Sequence, residues 1–180
     1  MESAPSAARY IMPTAQGAAD GTSWENAAAL QALDAMVAAV GAGGTVFIRA
    51  DAGEYICADL PAVVTHGGEE GRPVRITGVD ASLVPTRAVV VGSRTRWTLP
   101  DDPEQVTDVS QWDTGQSVIQ LGAGADHLTF AFLDFRHVGD AFHLTAPVHT
   151  SITVEDCSAH NFRRFFEHSG STSHVGTIIR

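Results

Sequence analysis

The chain has 180 residues, of which 44% are hydrophobic and 18% are charged, so it can bury one packed core and we expect one domain. Its 21 acidic residues outnumber its 11 basic residues, and the formal net charge of -10 argues against a nucleic-acid partner because a polyanion meets net repulsion. All the basic residues are arginine, which excludes chemistry that needs a lysine, such as a Schiff base or a P-loop.

Membrane segments, targeting signals and cysteine motifs are not evident in the sequence. The apolar stretch at 30–40 is too short to span a bilayer and contains Asp34, so we expect no membrane span. Residues 1–17 lack the basic-then-apolar order of a signal peptide, and we expect none in the given chain. Cys57 and Cys157 lie far apart, without a CxxC motif, and therefore indicate neither a redox compartment nor a cofactor.

The first predicted element is a helix at residues 27–40. Its apolar residues recur at helical spacing, Asn26 can serve as the N-cap, and a glycine-rich segment at 41–44 ends it. Short runs rich in Val, Ile and Phe follow, separated by turn residues, and they predict strands. Because no second long helical pattern separates these runs, we expect an all-β body with one N-terminal helix rather than βαβ units. The predicted strands lie at 46–49, 54–57, 74–77, 88–91 and 117–121, and then in an unbroken series to the C-terminus.

An internal repeat with a period of about two dozen positions organises the last third of the chain. The segment that starts at Leu128 aligns with the segment that starts at Ile152, and apolar positions coincide along both. A constant period with three short strands is what a parallel β-solenoid requires, because each turn pairs with the next at about 4.8 Å and equal positions stack into internal columns. A β-sandwich would give strands without a constant period. The coinciding pairs are Leu128 with Ile152, Phe130 with Val154, Leu133 with Cys157, Phe135 with Ala159, Val138 with Phe162 and Phe142 with Phe166.

The same period continues on both sides of this pair of segments. The run at 118–121 aligns with the run at 141–144, and the run at 152–155 aligns with the run at 177–180. The last copy opens a turn that the given chain does not finish, so its edge and apolar columns would stay uncovered. We therefore expect that the chain is truncated at its C-terminal end. We also expect the isolated chain to self-associate through the uncovered edge.

Three further segments complete the pattern: ADGTSWENAAALQAL at 19–33, GGTVFIRADAGEY at 43–55 and EEGRPVRITGVDA at 69–81. Together with the repeats from residue 117 onward, they resemble the N-terminal portion of a right-handed parallel β-helix protein of the pectate-lyase-like superfamily. The resemblance implies an all-β fold, a right-handed single-stranded parallel β-helix (solenoid) with an N-terminal capping α-helix. It also implies an extracellular or cell-surface location, and calcium, which proteins of this superfamily often use. The residues themselves show no evident cofactor.

The resemblance also implies the domain organisation. One β-helix domain spans 1–180, with an N-terminal cap at 1–45 and coils at 46–180. A long polar excursion at about 92–116 interrupts the coils, and we expect it to project as a loop. Two tryptophans border this loop and either pack it onto the coil or stack on a sugar ring. They are Trp97 and Trp112.

The repeat also predicts a site, because polar residues one period apart on the outside of a solenoid form ladders that can bind a sugar chain. The best ladder pairs Arg136 with His160 and His137 with Asn161. Arginine can neutralise a uronate carboxylate, and histidine or a carboxylate can move a proton, in β-elimination or in glycoside hydrolysis. The alternative is a solvated ladder with local salt bridges, which occurs on every face of a solenoid. The flanking residues are Asp134, Glu155, Asp156, Arg163 and Arg164.

Metal ligands and a catalytic set are not assigned by the sequence. Seven of the eight histidines fall in the last third, but their spacings match no zinc signature, and the acidic loop lacks the calcium-binding DxDxDG pattern. The superfamily's catalytic arginine, lysine or aspartate residues cannot be matched to this chain one by one. We expect no metal site, and the catalytic residues stay unknown.

These observations lead to two functional hypotheses. The first is the N-terminal part of a carbohydrate-active β-helix protein, a polysaccharide lyase or glycoside hydrolase that acts on an extracellular or cell-wall polysaccharide. The second is a non-catalytic β-helix, such as a surface, adhesin or tailspike-type module with a rigid binding face. A polysaccharide is the expected partner in both, and the oligomeric state is not predicted.

Overall fold

Residues 7–57, 61–92, 117–168, 173–175 and 178–179 are described in the computed structural model of the chain. They form a mostly β structure with parallel sheets, in agreement with the predicted β body. The predicted polar loop beyond its first residue, together with its two tryptophans, lies outside the described residues.

The strands form a first sheet, a second sheet and a small sheet. In chain order they are β1 (Ala8–Ile11), β2 (Thr45–Arg49), β3 (Tyr55–Cys57), β4 (Ala62–Val64), β5 (Val74–Val79), β6 (Ala88–Gly92), β7 (Ile119–Leu121), β8 (Leu128–Ala131), β9 (Leu133–Leu144), β10 (Val148–Thr150), β11 (Ile152–Glu155), β12 (Ser158–His168), β13 (Ser173–Val175) and β14 (Ile178–Ile179). The first sheet has the order β1-β2-β5-β8-β11-β14. The second has the order β3-β6-β9-β7-β4 with β12 paired to β9, and the small sheet pairs β10 with β13. The pairings between these strands are parallel.

The register of the first sheet confirms the predicted repeat. Leu128 lies opposite Ile152, and Phe130 lies opposite Val154, as the alignment of the two segments predicts. All four side chains are buried, so the coinciding apolar positions face the core. β14 pairs with β11 in the predicted alignment as well.

A bend in β9 joins the two halves of the second sheet. Residues 133–136 of β9 pair with β6, and residues 142–144 pair with β7. His137 lies between them with a φ of 53°, in the left-handed region that residues other than glycine adopt uncommonly. β12 follows β9 along both halves, one repeat later in the chain, and the predicted alignment of β7 with the end of β9 is also confirmed.

Single left-handed residues mark the corners of the repeat. Phe132 and Asp156, one repeat apart, have φ values of 53° and 51° and directly follow β8 and β11. His127 and Ser151 are also one repeat apart, have φ values of 52° and 56°, and directly precede the same two strands. Successive repeats therefore change direction at equivalent residues, which keeps their strands in register.

Aromatic rings stack through the core between the sheets. The ring of Phe142 is fully buried, and its centroid lies 4.9 Å from that of Phe130 and 5.2 Å from that of Phe135. Phe166, one repeat later, stacks on Phe142 at 5.2 Å. Such ring contacts add to the free energy gained by burying the apolar surface. The predicted column of Phe142 over Phe166 is therefore present.

The predicted N-terminal helix is shorter than expected. The α-helix α1 covers Leu33–Val40, whereas the sequence predicts a helix from residue 27. Within the described residues, no helix is long and apolar enough to cross a bilayer. The apolar side of α1 is nevertheless the predicted one, and its buried residues are Leu33, Met36, Val37 and Val40.

Strand pairing explains why the helix starts late. Ala28 forms a parallel bridge with Ile11 of β1. Its carbonyl accepts a hydrogen bond from the N–H of Met12 at 2.9 Å, and that of Ala27 accepts one from the N–H of Gln16 at 2.8 Å. A backbone that pairs with a strand cannot also supply the hydrogen bonds of a first helical turn. The prediction of Asn26 as N-cap is therefore also wrong. The helix begins after Ala32, and Oδ1 of Asn26 accepts a hydrogen bond from the N–H of Ala18 at 3.0 Å.

Both cysteines are free thiols that contact the core. Cys57 is buried in β3, and Cys157 lies between β11 and β12, partly buried, where the repeat places it opposite Leu133. Burial raises the pKa of each thiol to about 11. The reactive thiolate is therefore scarce at neutral pH, which fits a packing role.

Candidate functional site

The second sheet presents a row of side chains across β3, β6, β9 and β12. Ile56, Val91, Arg136 and His160 occupy matching register positions on these strands. Phe135 is fully buried, so its neighbour Arg136 points to the opposite face of the strand, away from the core. The register thus places Arg136 beside His160, which is the pairing that the repeat predicts.

Asp134 holds these two side chains together. Only 5% of Asp134 is exposed, so its charge needs partners within the protein. Its Oδ2 accepts a hydrogen bond from Nε of Arg136 at 2.8 Å and lies 2.7 Å from Nη2 of the same guanidinium. Its Oδ1 accepts a hydrogen bond from the hydroxyl of Ser158 at 2.8 Å and lies 3.4 Å from Nε2 of His160. One buried carboxylate thus fixes a guanidinium, a hydroxyl and an imidazole on two neighbouring strands.

Solvent reaches the basic side chains of this cluster. The side chain of Arg136 is 43% exposed, and that of His160 is 66% exposed. Nη1 of Arg136 lies 3.9 Å from Oε1 of Glu54, a half-exposed carboxylate that directly precedes β3. We call Glu54, Asp134, Arg136, Ser158 and His160 the polar face. It presents two basic groups to solvent above a carboxylate that solvent barely reaches.

The polar face does not fit a calcium ion. Calcium binds six to eight oxygen ligands, several of them carboxylates. Here the guanidinium of Arg136 already lies between the carboxylates of Asp134 and Glu54, and its positive charge balances their negative charge. In the described part of the chain, no group of three or more His, Cys, Asp and Glu side chains is arranged to hold a metal ion.

Arg164 belongs to a separate cluster beyond the bend of β9. The carboxylate of Asp140 is almost completely buried, and its Oδ1 accepts a hydrogen bond from Nε of Arg164 at 3.3 Å. The hydroxyl of Ser117 lies 3.2 Å from the other oxygen of Asp140. Arg164 also pairs with Glu167, further along the same strand. The chemistry resembles that of the polar face, with one arginine that bridges a buried and a more exposed carboxylate.

Glu155 lies on the first sheet and does not join either cluster. Its Oε1 forms an ion pair with Nη1 of Arg75 at 2.5 Å, across the intervening strand β8. Asp156 occupies the corner that follows, where its carbonyl accepts a hydrogen bond from Nε of Arg87 at 2.8 Å. These contacts link β11 and its corner to earlier segments that are not their direct neighbours, on another face of the molecule.

The remaining predicted site residues lie at or near the bend of the second sheet. His137 lies at the bend itself, directly after Arg136. Asn161 and Arg163 belong to β12, but their side chains lie outside the described residues. The structure therefore brings together three of the predicted residues, Asp134, Arg136 and His160, and places Arg164 and Glu155 elsewhere.

Several partners in these clusters were not predicted from the sequence. Ser158 lies opposite Asp134, and Asp140 lies opposite Arg164, each pair one repeat apart. The alignment of the two repeats contains both pairs, so reading it for hydrogen-bond partners as well as for apolar residues would have found them. Glu54 precedes a strand outside the aligned repeats, and no feature of the sequence links it to Arg136.

Comparison with known proteins gives little similarity. No family model matches the sequence, and no curated protein matches it. Among solved structures, a rhamnogalacturonan lyase is similar to this chain with a TM-score of 0.41 and 13% sequence identity. The match covers 97% of this chain and 62% of that protein, so the chain spans less than two thirds of its length. A similarity of this size assigns neither a fold nor an activity to this chain.

Proposed function

We propose that the chain belongs to a carbohydrate-active protein with a right-handed single-stranded parallel β-helix, and that it binds an extracellular or cell-wall polysaccharide on the polar face. The observation that carries the proposal is the register of β9 and β12, which places the solvent-exposed Arg136 and His160 on neighbouring strands with Asp134 between them. The parallel pairings and the repeated corner residues support the β-helix.

The spacing of the strands suits a polymer. Neighbouring strands lie about 4.8 Å apart, so equivalent side chains form a regular row that can contact successive sugar units. Arg136 offers a guanidinium whose Nη1 is only loosely paired, at 3.9 Å from Glu54. A uronate carboxylate can replace this weak contact and bind the guanidinium with better geometry.

The same face offers groups for a proton transfer. The imidazole of His160 is accessible and is oriented by Asp134, the arrangement of a general acid or base. A lyase needs such a group beside a cation that neutralises the uronate, and Arg136 supplies the cation. A glycoside hydrolase needs two carboxylates that reach the substrate. Asp134 is enclosed by its partners, which leaves Glu54 as the accessible carboxylate of the polar face. The geometry therefore favours β-elimination over hydrolysis.

A non-catalytic binding module is the second candidate. The observation that favours it is the complete engagement of Asp134 by Arg136, Ser158 and His160. A buried carboxylate with that many partners fixes the positions of the basic side chains. A rigid row of this kind binds a polymer without any reaction.

A panel of polymers separates these candidates. Calorimetry would measure binding of two uronate polymers, polygalacturonate and alginate, and of a neutral polymer, dextran. Ultraviolet absorbance of unsaturated uronates and an assay for reducing ends would measure products. We expect binding of at least one uronate polymer, and an unsaturated product supports the lyase. Binding without any product supports the module, and no binding of any of the three polymers contradicts the proposal.

A matched pair of variants tests whether the polar face is the binding surface. Arg136→Gln removes the guanidinium of the polar face, and Arg72→Gln removes an exposed guanidinium that pairs with Glu69 elsewhere. We expect Arg136→Gln to weaken binding about tenfold, the effect of about 1.4 kcal/mol, and Arg72→Gln to leave it unchanged. Equal affinities of the two variants would place the binding surface elsewhere.

A further inference from the structure

We propose that His160 makes binding by the polar face depend on pH, so that mild acidification strengthens binding of uronate polymers. This inference rests on the proposed function. It concerns the regulation of the same site and adds a pH response that the proposed function does not require.

His160 is placed to contact the same group of a ligand as Arg136. Its side chain is 66% exposed and lies on β12, directly opposite Arg136 of β9. The two basic groups are therefore neighbours on adjacent strands, and a carboxylate of the polymer can contact both. Asp134 keeps the imidazole in this place through the contact of 3.4 Å to Nε2.

The formal charge of the polar face depends on whether its imidazole is neutral or protonated. With a neutral imidazole, the polar face contains the carboxylates of Glu54 and Asp134 and the single guanidinium of Arg136, a formal charge of about -1. Histidine is the side chain that commonly gains a charge between about pH 5 and pH 8. A protonated imidazole makes the formal charge of the polar face about zero and places two cations side by side.

Among the residues that the structure describes, charged groups on the surrounding strands do not replace this effect. β6 presents Val89 and Val91 between Glu54 and the two basic side chains, and neither valine is charged. On β9 the nearest further titratable group is His137, at the bend. On β12, Arg164 is paired with Asp140 and Glu167 beyond the bend, and the side chain of Arg163 lies outside the described residues.

The total charge of the chain makes the local change important. The net charge is -10, so a uronate polymer meets net repulsion from the chain as a whole. Binding then depends on the few cations that contact the polymer directly. One additional contacting cation is expected to raise the affinity about fivefold, and added salt should reduce this gain.

The experiment compares polygalacturonate binding at about pH 5.5 and about pH 8, where carboxylates of ordinary acidity stay ionised and imidazoles change charge. The variant is His160→Gln. The matched control is His66→Gln, because His66 is 56% exposed and its Nδ1 also contacts an aspartate, Asp34, at 3.0 Å, away from the polar face. We expect an increase of about fivefold at the lower pH in the wild type and in His66→Gln, and less than twofold in His160→Gln.

A second variant, His160→Arg, keeps a positive charge at both pH values. We expect it to bind polygalacturonate tightly at both, with no pH response. A full pH response in His160→Gln or in His160→Arg would overturn the inference. Equal wild-type binding at both pH values would overturn it and leave the proposed function standing, whereas absence of wild-type binding to uronate polymers at both would overturn both.

Discussion

Asp134 shows how a single residue connects the core of this protein with its outer surface. Phe135, the next residue, is fully buried on the core side of the strand. The carboxylate of Asp134 holds three polar groups on the opposite side. The sequence predicts the pairing of Arg136 with His160 because both lie in the repeat. It does not predict the central role of Asp134, because burial of a carboxylate depends on partners that only the folded chain brings together.

Replacement of Asp134 tests this role. Asp134→Ala leaves the Ser158 hydroxyl and the guanidinium of Arg136 without their main partner. We expect the free energy of unfolding to fall by about 1.5–3 kcal/mol, the usual contribution of hydrogen bonds to a charged group. Urea denaturation would measure the loss. The control Asp51→Ala removes an exposed carboxylate and should leave the free energy nearly unchanged, and equal losses in the two variants would contradict the account.

Asp34 gives a pH-dependent prediction at the same scale. Burial raises the pKa of Asp34, but hydrogen bonds from the Thr65 N–H, the His66 side chain and the Thr65 hydroxyl outweigh burial and hold the pKa below its ordinary value. A lowered pKa in the folded state means that this carboxylate contributes stability at neutral pH. The contribution is lost as the pH falls through the lowered pKa.

The variant Asp34→Asn measures this contribution. We expect a loss of about 1 kcal/mol in the free energy of unfolding at neutral pH, after allowance for solvent screening. The difference between wild type and variant should narrow at about pH 3. Urea denaturation at both pH values would show this, and a difference that is the same at both would mean that the charge of Asp34 is unimportant.

At the scale of elements, the strands inside the repeat were predictable, whereas those outside it were less so. The registers of β9 with β7, of β11 with β8 and of β14 with β11 were all predicted from coinciding apolar positions. Outside the aligned repeats, β2, β3, β5 and β6 were predicted from their apolar runs, whereas β1 and β4 were missed. The start of α1 was wrong because β1 pairs with Ala28, and a missed strand therefore also displaced a helix boundary.

The aromatic column offers a test of packing between elements. The ring of Phe142 contacts the rings of Phe130 and Phe166. Phe142→Ala therefore removes these contacts and leaves a cavity. We expect the free energy of unfolding to fall by about 3–5 kcal/mol. Phe162→Ala is the matched control, because this ring lies on the same sheet but is 41% exposed. Thermal and urea denaturation should show a much smaller loss for Phe162→Ala, and a similar loss in both would contradict the described core.

At the scale of the whole molecule, the parallel pairing of distant segments determines the architecture. It accounts for the buried apolar columns, for the repeated corner residues and for the juxtaposition of Arg136 with His160. The repeat could be predicted because every copy must present the same face to the core. The polar face could be predicted only in part, since Glu54 reaches Arg136 across a strand that no repeat links to it.

Disulfide cross-linking tests the register of this pairing most directly. Thr129 and Thr153 lie opposite each other on neighbouring strands, about 4.8 Å apart, within the range of about 4.4–6.8 Å that a disulfide bridges. Glu155 lies on the same face as Thr153 but further along the strand, so Thr129 and Glu155 form a comparison pair. Each pair would be replaced by cysteines in a separate variant, and both variants would be oxidised mildly. The native thiols react slowly because burial raises the pKa of Cys57 and Cys157 to about 11.

Peptide mapping by mass spectrometry would identify the bridges. The account predicts an intramolecular disulfide in Thr129→Cys/Thr153→Cys and none in Thr129→Cys/Glu155→Cys, whose Cα atoms should lie beyond the limit of about 7 Å. Cross-linking of the second pair in place of the first, or of both pairs equally, would contradict the register of the repeat and the polar face that depends on it.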